Sequence, residues 1–340
     1  MSNENMTDSG RCSWVVNVAV LVLFAGAAIA EEAPQTTAMQ RQLLEDAWWT
    51  GPILAAGAST LPQGHALVEP YVFDVVTRGR YDNDGGRRGT QRLHSFGSLT
   101  YLLYGLTDEL TVGVIPRFGF NDLPSGQDST GIGLSDFTIQ GQYRLTQFRE
   151  GGWPTLSLVL QETLPTGKYD ELGERLADGL GAGAYTTTVA LYSQYYFWLP
   201  NGRILRTRLN LSQSFSDDVT LRDVSVYGTP QGFRGQASPG DSFMVNAAWE
   251  YSLTRNWVLA LDLYYQHDEN TRVSGYVLDG DSPPSEFRAS SGSSDRFGLA
   301  PAIEYNWSPR AGVIVGARWV ATGRNVDATL TPVAAINLVY

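Results

Sequence analysis

Three histidines, His65, His94 and His267, are the only imidazoles in the 340-residue chain. None falls in an HExxH run or at a metal-ligand spacing from a second histidine. A lipid hydrolase on a strand wall needs a His and a Ser on one face, with a third group orienting the ring. His94 and Ser95 are adjacent, so on a strand they point to opposite faces. No serine partner is evident for His267. "GLGAG" at 179–183 lacks the strand-then-helix context of a phosphate cradle. A lipid-modifying enzyme therefore stands only as an alternative, and neither metal, cofactor nor catalytic residues are expected.

A second group of polar residues is more informative. It comprises Arg117, Asp136, Gln140, Gln142, Arg144, Arg206, Arg208, Asn210, Glu250, Asp262, Glu304 and Arg318. Each alternates with apolar neighbours. In "GLSDFTIQGQYRL" (133–145), Phe137, Ile139, Tyr143 and Leu145 take one parity, while Asp136, Gln140, Gln142 and Arg144 take the other. Enclosed together, such charges must pair across or between strands. Two readings stay open: they line a selective pore, or they form a salt-bridge network that closes the lumen.

The elements that must position these residues are strands. Two-residue alternation recurs in "ELTVGVIPRFGF", "TLSLVLQETL", "ILRTRLNLSQSF", "FMVNAAWEYSL", "WVLALDLYYQH", "FGLAPAIEYNW" and "LTPVAAINLVY". Three segments fit less well. Residues 66–78 carry Pro70 and put Glu69 on the apolar row, 95–105 are apolar on both parities, and 184–198 alternate weakly. With "GVIVGARWVA" at 312–321 the count reaches about twelve strands.

Connections alternate in length. Residues 79–92, 121–133, 166–183, 216–240 and 268–294 are long and rich in Gly, Asp, Ser and Pro, with a helical turn expected near 169–178. Compact turns such as "LTDE", "PNGR", "LTRN" and "SPRA" lie between them. On the apolar parity, the turn-side ends carry Tyr143, Phe197, Tyr251, Trp257, Tyr305, Trp307 and Tyr340. The loop-side ends carry Phe118, Phe120, Phe215, Phe243, Tyr265, Phe297 and Trp319. A soluble β-sandwich also alternates, but it has no reason to collect aromatics at both ends of its apolar face. Outer-membrane barrels have aromatic girdles, short periplasmic turns and long outer loops. The expectation is an all-β, closed antiparallel transmembrane barrel of about twelve strands over residues 65–340.

Residues 13–30, "SWVVNVAVLVLFAGAAIA", form an apolar run ending in a small-x-small pattern and followed by "EE". They read as a cleaved signal peptide (1–30), with an uncleaved anchor as the other reading. Cys12, the sole cysteine, precedes the run, so no disulfide is expected. A net charge of -11 argues against nucleic-acid binding. Residues 31–64 suggest a short helix near "MQRQLLEDAWWTGP" and then irregular chain. They are either a plug inside the barrel or a periplasmic tether.

"GIGLSDFTIQGQYRL", "LVLQETLPTGKYD" and "ADGLGAGAYTTTVALYSQYYF" resemble the outer-membrane proteins of the "meta-pathway of phenol degradation" family. The carrying residues are Gly133, Leu134 and Asp136, then Pro165, Thr166 and Gly167, then Gly179, Gly181 and Gly183, with the likeness spanning about residues 95–270. The resemblance implies an outer-membrane channel admitting small hydrophobic or aromatic solutes. The alternative from a different class is a structural or surface-binding barrel with a blocked lumen. Expected partners are outer-membrane lipid and lipopolysaccharide, the solute itself, and the barrel-assembly machinery, which would read the terminal aromatic Tyr340. Acidic outer-loop residues, among them Asp217, Asp218, Asp223, Asp268 and Glu269, are candidates for cation bridges to lipopolysaccharide.

Overall fold

Strand side chains point alternately to opposite faces, so a long polar/apolar alternation makes a wall with one dry and one wet side. We analysed a computed structural model that describes residues 41–340, apart from 125, 281 and 282. The expected signal peptide and residues 31–40 lie outside the described residues.

Twelve strands form the wall. They are β1 (Ala66–Tyr81), β2 (Leu93–Gly105), β3 (Leu110–Ile115 and Arg117–Asp122), β4 (Gly133–Leu134 and Phe137–Thr146), β5 (Thr155–Leu164) and β6 (Thr186–Trp198). Then follow β7 (Ile204–Ser216), β8 (Ser242–Ser252), β9 (Trp257–Asp268), β10 (Ser294–Ser308), β11 (Ala311–Arg324) and β12 (Val326–Val339). Each pairs antiparallel with its neighbours, and β12 returns to β1 from Leu67↔Val339 to Tyr81↔Val326. Closure leaves the wall no open edge. Strand β3 is interrupted at Pro116, which has no N–H for the ladder, yet its carbonyl still accepts from the Thr100 amide at 3.1 Å.

Strand β9 shows the two faces. Trp257, Leu259, Leu261 and Leu263 are 36–44% exposed on the outside, whereas Val258, Ala260, Asp262 and Tyr264 are at most 5% exposed. Strands β1 and β2 explain their own poor alternation. Glu69, Tyr71, Phe73, Leu99 and Tyr101 share the inner face with Ile53, Ile314 and Val333. One side of the interior is therefore mainly aromatic and aliphatic, with Glu69 held by the Asn337 amide at 3.0 Å, and both parities of these strands can carry apolar residues.

The long-loop end carries structure that the sequence reading treats as irregular. Val219–Arg222, Phe233–Ser238, Arg272–Val277 and Ser285–Ser290 form a second, four-stranded antiparallel sheet. Its core is Phe233, Leu221, Val219, Ala237 and Val273, with Ala184 from the start of β6's lead-in and Phe287 packed alongside. These strands are four to six residues long, too short for alternation to stand out among Gly and Ser. The expected helix near residue 44 is a single 3-10 turn, Leu44–Asp46, held by the Asp46 side chain accepting from the Leu43 amide at 3.1 Å. A second 3-10 turn, Leu176–Asp178, lies where the outer-loop turn is expected.

Candidate functional site

Four successive strands bring charges to one level of the interior. Arg206 of β7 stands opposite Glu250 of β8 in register. Arg206 Nε donates to Glu250 Oε2 at 2.7 Å, and its Nη2 donates to the other carboxylate oxygen. Arg208 Nε lies 3.0 Å from Glu250 Oε2. Asp262 of β9 and Glu304 of β10 complete the row, and all five residues are buried. The Trp49 ring sits 4.5 Å from the Arg206 guanidinium, a cation–π contact.

Residues 48–62 run through this network without forming a strand, and their backbone groups are matched by wall side chains. The Thr50 and Gly51 amides donate to Glu304 Oε2 at 2.7 and 3.1 Å. Leu54 and Ala55 amides donate to the Asp262 carboxylate at 3.3 and 2.9 Å. The Ala55 carbonyl accepts from Arg208 at 2.7 Å, and the Ala56 carbonyl accepts from Asn210 at 3.0 Å. Gln142 donates to the Gly57 carbonyl at 3.1 Å, and Ser157 Oγ donates to the Ala58 carbonyl. An irregular backbone in an enclosed space needs such partners, because each bare N–H or C=O costs about 1–3 kcal/mol. Wall glycines give it room. A Cβ on Gly312 would stand 2.2 Å from Thr50 Oγ1, and one on Gly105 would stand 2.2 Å from the Pro62 carbonyl oxygen.

The remaining sequence candidates are dispersed. Gln140 accepts from Gln161 at 2.9 Å and lines the inner cavity. Arg117 is opposite Leu99 on the inner face, with its Nε buried and unpartnered among the described residues. Arg318 donates to the Tyr264 hydroxyl at 3.0 Å nearer the loop end. Arg144 lies at the turn end and donates to the Asp108 carbonyl at 2.9 Å. Asp136 is buried at the loop end, where it accepts from the Gly167 amide at 3.0 Å and the Ala182 amide at 2.7 Å. A Cβ on Gly181 would be 2.6 Å from Asp136 Oδ1. The three stretches that carry the family resemblance, around Asp136, Gly167 and Gly181, thus meet in one knot that pins an outer loop to the wall.

The apolar side of the interior escapes a search for polar residues. Two spaces open on it. An outer vestibule of about 560 Å³ has a mostly polar lining that includes Arg80, Arg296, Arg318 and Asp327, with Phe73, Val75, Leu93 and Val320 as its apolar part. An inner cavity of about 180 Å³ lies between residues 50–61 and a wall of Leu67, Tyr71, Tyr101, Leu103 and Tyr192. The signal for these residues is the very loss of alternation in 66–78, 95–105 and 184–198.

The Putative MetA-pathway of phenol degradation family matches residues 64–331, which is nearly the whole wall. The chain belongs to that family. The fold of this family member is similar to the COG4313 outer membrane channel from Pseudomonas putida F1, at 16% identity and a TM-score of 0.62 over 83% of this chain and 98% of that one. It is more distantly similar to the beta domain of the Bordetella autotransporter BrkA, at 12% identity and a TM-score of 0.44 over 82% and 100% of the two chains. A TodX monoaromatic hydrocarbon channel mutant aligns at 13% identity and a TM-score of 0.38 over 87% and 94%. No curated protein matches the sequence. The family member is a closed twelve-stranded antiparallel β-barrel, the fold of that outer membrane channel.

Proposed function

We propose that the protein is a passive outer-membrane channel for small solutes, with single-ring aromatic and other hydrophobic compounds as its cargo. The observation carrying this reading is the divided interior. Most buried charges are tied to residues 48–62, whereas Phe73 in the vestibule and Tyr71, Tyr101 and Leu103 in the inner cavity form a mainly aromatic and aliphatic row on β1 and β2, broken by Glu69. A dry cavity of about 150 Å³ suffices for benzene, so about 180 Å³ accommodates one ring. The rings and aliphatic side chains of that row give an apolar solute a contact surface, while Glu69, Gln140, Gln142, Arg208 and Asn337 leave the same cavity a polar side.

Residues 41–62 serve as a lumen plug in this reading, and the candidates Arg206, Arg208, Asn210, Glu250, Asp262, Glu304 and Gln142 anchor it. Their role is to hold the plug to one side; the other candidates brace the wall and loops. The signal peptide would deliver the chain to the outer membrane before cleavage. The blocked-barrel reading is favoured by one observation: Ile53 of the plug packs against the buried cluster of Tyr71, Ile314, Val333 and Ala335. Uptake of a labelled single-ring aromatic alcohol by porin-depleted cells tests the choice. A channel raises uptake over vector-only cells, and a blocked barrel does not.

A further inference from the structure

The chain is acidic, with 35 Asp and Glu against 24 Lys and Arg, yet residues 78–92 hold five arginines and two aspartates. Some of this charge is already engaged. Arg80 donates to Asp327 at 3.1 Å, and Arg88 is 3.3 Å from Asp82. Asp82 also accepts from the Asp84 and Gly86 amides at 3.1 and 2.8 Å. On β1, Asp74 contacts His94 Nδ1 at 2.8 Å. Among the described residues, no carboxylate makes an ion pair with Arg78 or Arg87.

These two arginines are outside the lumen. Thr77 lines the vestibule, so Arg78 beside it points away from it. Val76 pairs with Leu330 and Leu330 with Trp319, whose ring is 49% exposed on the outer wall. Arg78 and Arg87, with Trp319, Ala328, Thr329 and Leu330, line a surface recess of about 270 Å³. Its base is apolar and faces acyl chains, and its rim is cationic at the level of the loop-side aromatic girdle. A guanidinium on the lipid-facing wall is costly unless it meets an anion, and its planar fork suits phosphate oxygens.

We propose that this recess binds lipopolysaccharide, with one lipid A phosphate held by Arg78 and Arg87 and an acyl chain lying over Trp319 and Leu330. No divalent cation is needed, because the protein supplies the positive charge. The site is separate from the solute route and does not depend on it.

Native mass spectrometry of the full chain in detergent, titrated with bisphosphorylated lipid A, tests the assignment. Wild type binds lipid A, and the R78Q/R87Q double variant binds about ten-fold more weakly, as expected for two lost charge-assisted hydrogen bonds. R149Q, at the turn end, binds like wild type. A double variant within about two-fold of wild type overturns the site, since a charge-assisted contact is worth more than that. So does equal binding of dephosphorylated lipid A. Inorganic phosphate displacing lipid A at equal concentration would reassign the recess to a free anion and also overturns it. The heat-modifiable gel shift verifies folding. Should the double variant lack the shift, R87Q alone, an exposed residue of the two-residue strand Arg87–Arg88 that pairs with the end of β1, must lower binding about three-fold for the assignment to stand.

Discussion

Arg208 and Ala55 meet in the middle of the barrel: the guanidinium donates to the Ala55 carbonyl at 2.7 Å, while the Ala55 amide donates to Asp262 at 2.9 Å. One residue of an irregular segment is thus held from two strands, β7 and β9. Each bond satisfies a backbone group that water cannot easily reach. Replacing both anchors, R208Q with D262A, releases the segment at this point. The expected result is a several-fold higher single-channel conductance in planar bilayers. Conductance equal to wild type, with folding intact, would show that this clamp does not restrict the lumen.

Glu250 pairs with two arginines at once. Its side chain is fully buried, and those of Arg206 and Arg208 are 8% and 6% exposed. Removing one partner of a buried ion pair strands the other charge and costs about 3–5 kcal/mol. E250Q should therefore lower the urea midpoint of barrel unfolding markedly. R41Q supplies the contrast. The Arg41–Glu150 pair is half exposed, and exposed pairs are worth about 0–1 kcal/mol. Equal midpoints for the two variants would show that the buried triad does not stabilise the wall.

The wall was legible because lipid imposes a strict rule on one face of each strand. Leu158 and Leu160 are exposed outside and Val159 between them is fully buried, as alternation demands. Strands β1, β2 and β6 were hard to read because their inner face mixes aromatic and aliphatic residues with a few polar ones such as Glu69 and Gln194. Tyr71, Tyr101 and Tyr192 are there to meet the cavity and each other, with the Tyr71 and Tyr101 rings 5.9 Å apart and edge-on. Residues 48–62 had no period to read because their hydrogen bonds go to scattered side chains and not to a ladder. Gly51, at φ +124°, is in a region that L side chains rarely adopt. Asp136 had the inward parity of a pore residue, but strand parity does not tell height along the barrel. Its place just after the long connection 121–133 was readable, but only the fold shows that it accepts from the Gly167 and Ala182 amides and so braces a loop.

The loop sheet has its own core, so it should fail on its own. Phe233 is fully buried and packs edge-on against Phe287 at 5.4 Å. F233A removes a buried aromatic and costs about 3–5 kcal/mol locally. Limited proteolysis should then cut within 216–240 and 268–294 much faster, while the heat-modifiable shift of the barrel persists. Loss of that shift would mean that the outer sheet and the wall fold as one unit.

Asp178 ties two outer loops together. Its carboxylate accepts from the Thr130 amide at 2.7 Å and the Thr130 hydroxyl at 3.0 Å. The amide bond, chiefly, holds its pKa below the usual carboxylate value, with the hydroxyl assisting against some desolvation. A depressed folded pKa means the contribution is complete above the unfolded value and is lost as pH falls through the folded one. Amide exchange at Thr130, corrected for its intrinsic pH dependence, should show full protection above the ordinary aspartate pKa and lose it only as pH falls below that value. D178N should remove the pH dependence. An acid-induced loss that persists in D178N would assign it to another group.

The most direct measurement of the central claim is uptake of a labelled single-ring aromatic alcohol by porin-depleted cells, comparing wild type with Y101R at matched levels of folded barrel. Tyr101 lines the inner cavity on its apolar side, and an arginine there replaces a dry surface with a charge. The account predicts uptake well above vector-only cells for wild type and near the vector level for Y101R. Wild-type uptake indistinguishable from vector, or Y101R uptake equal to wild type, would contradict a solute route along the apolar side of the lumen.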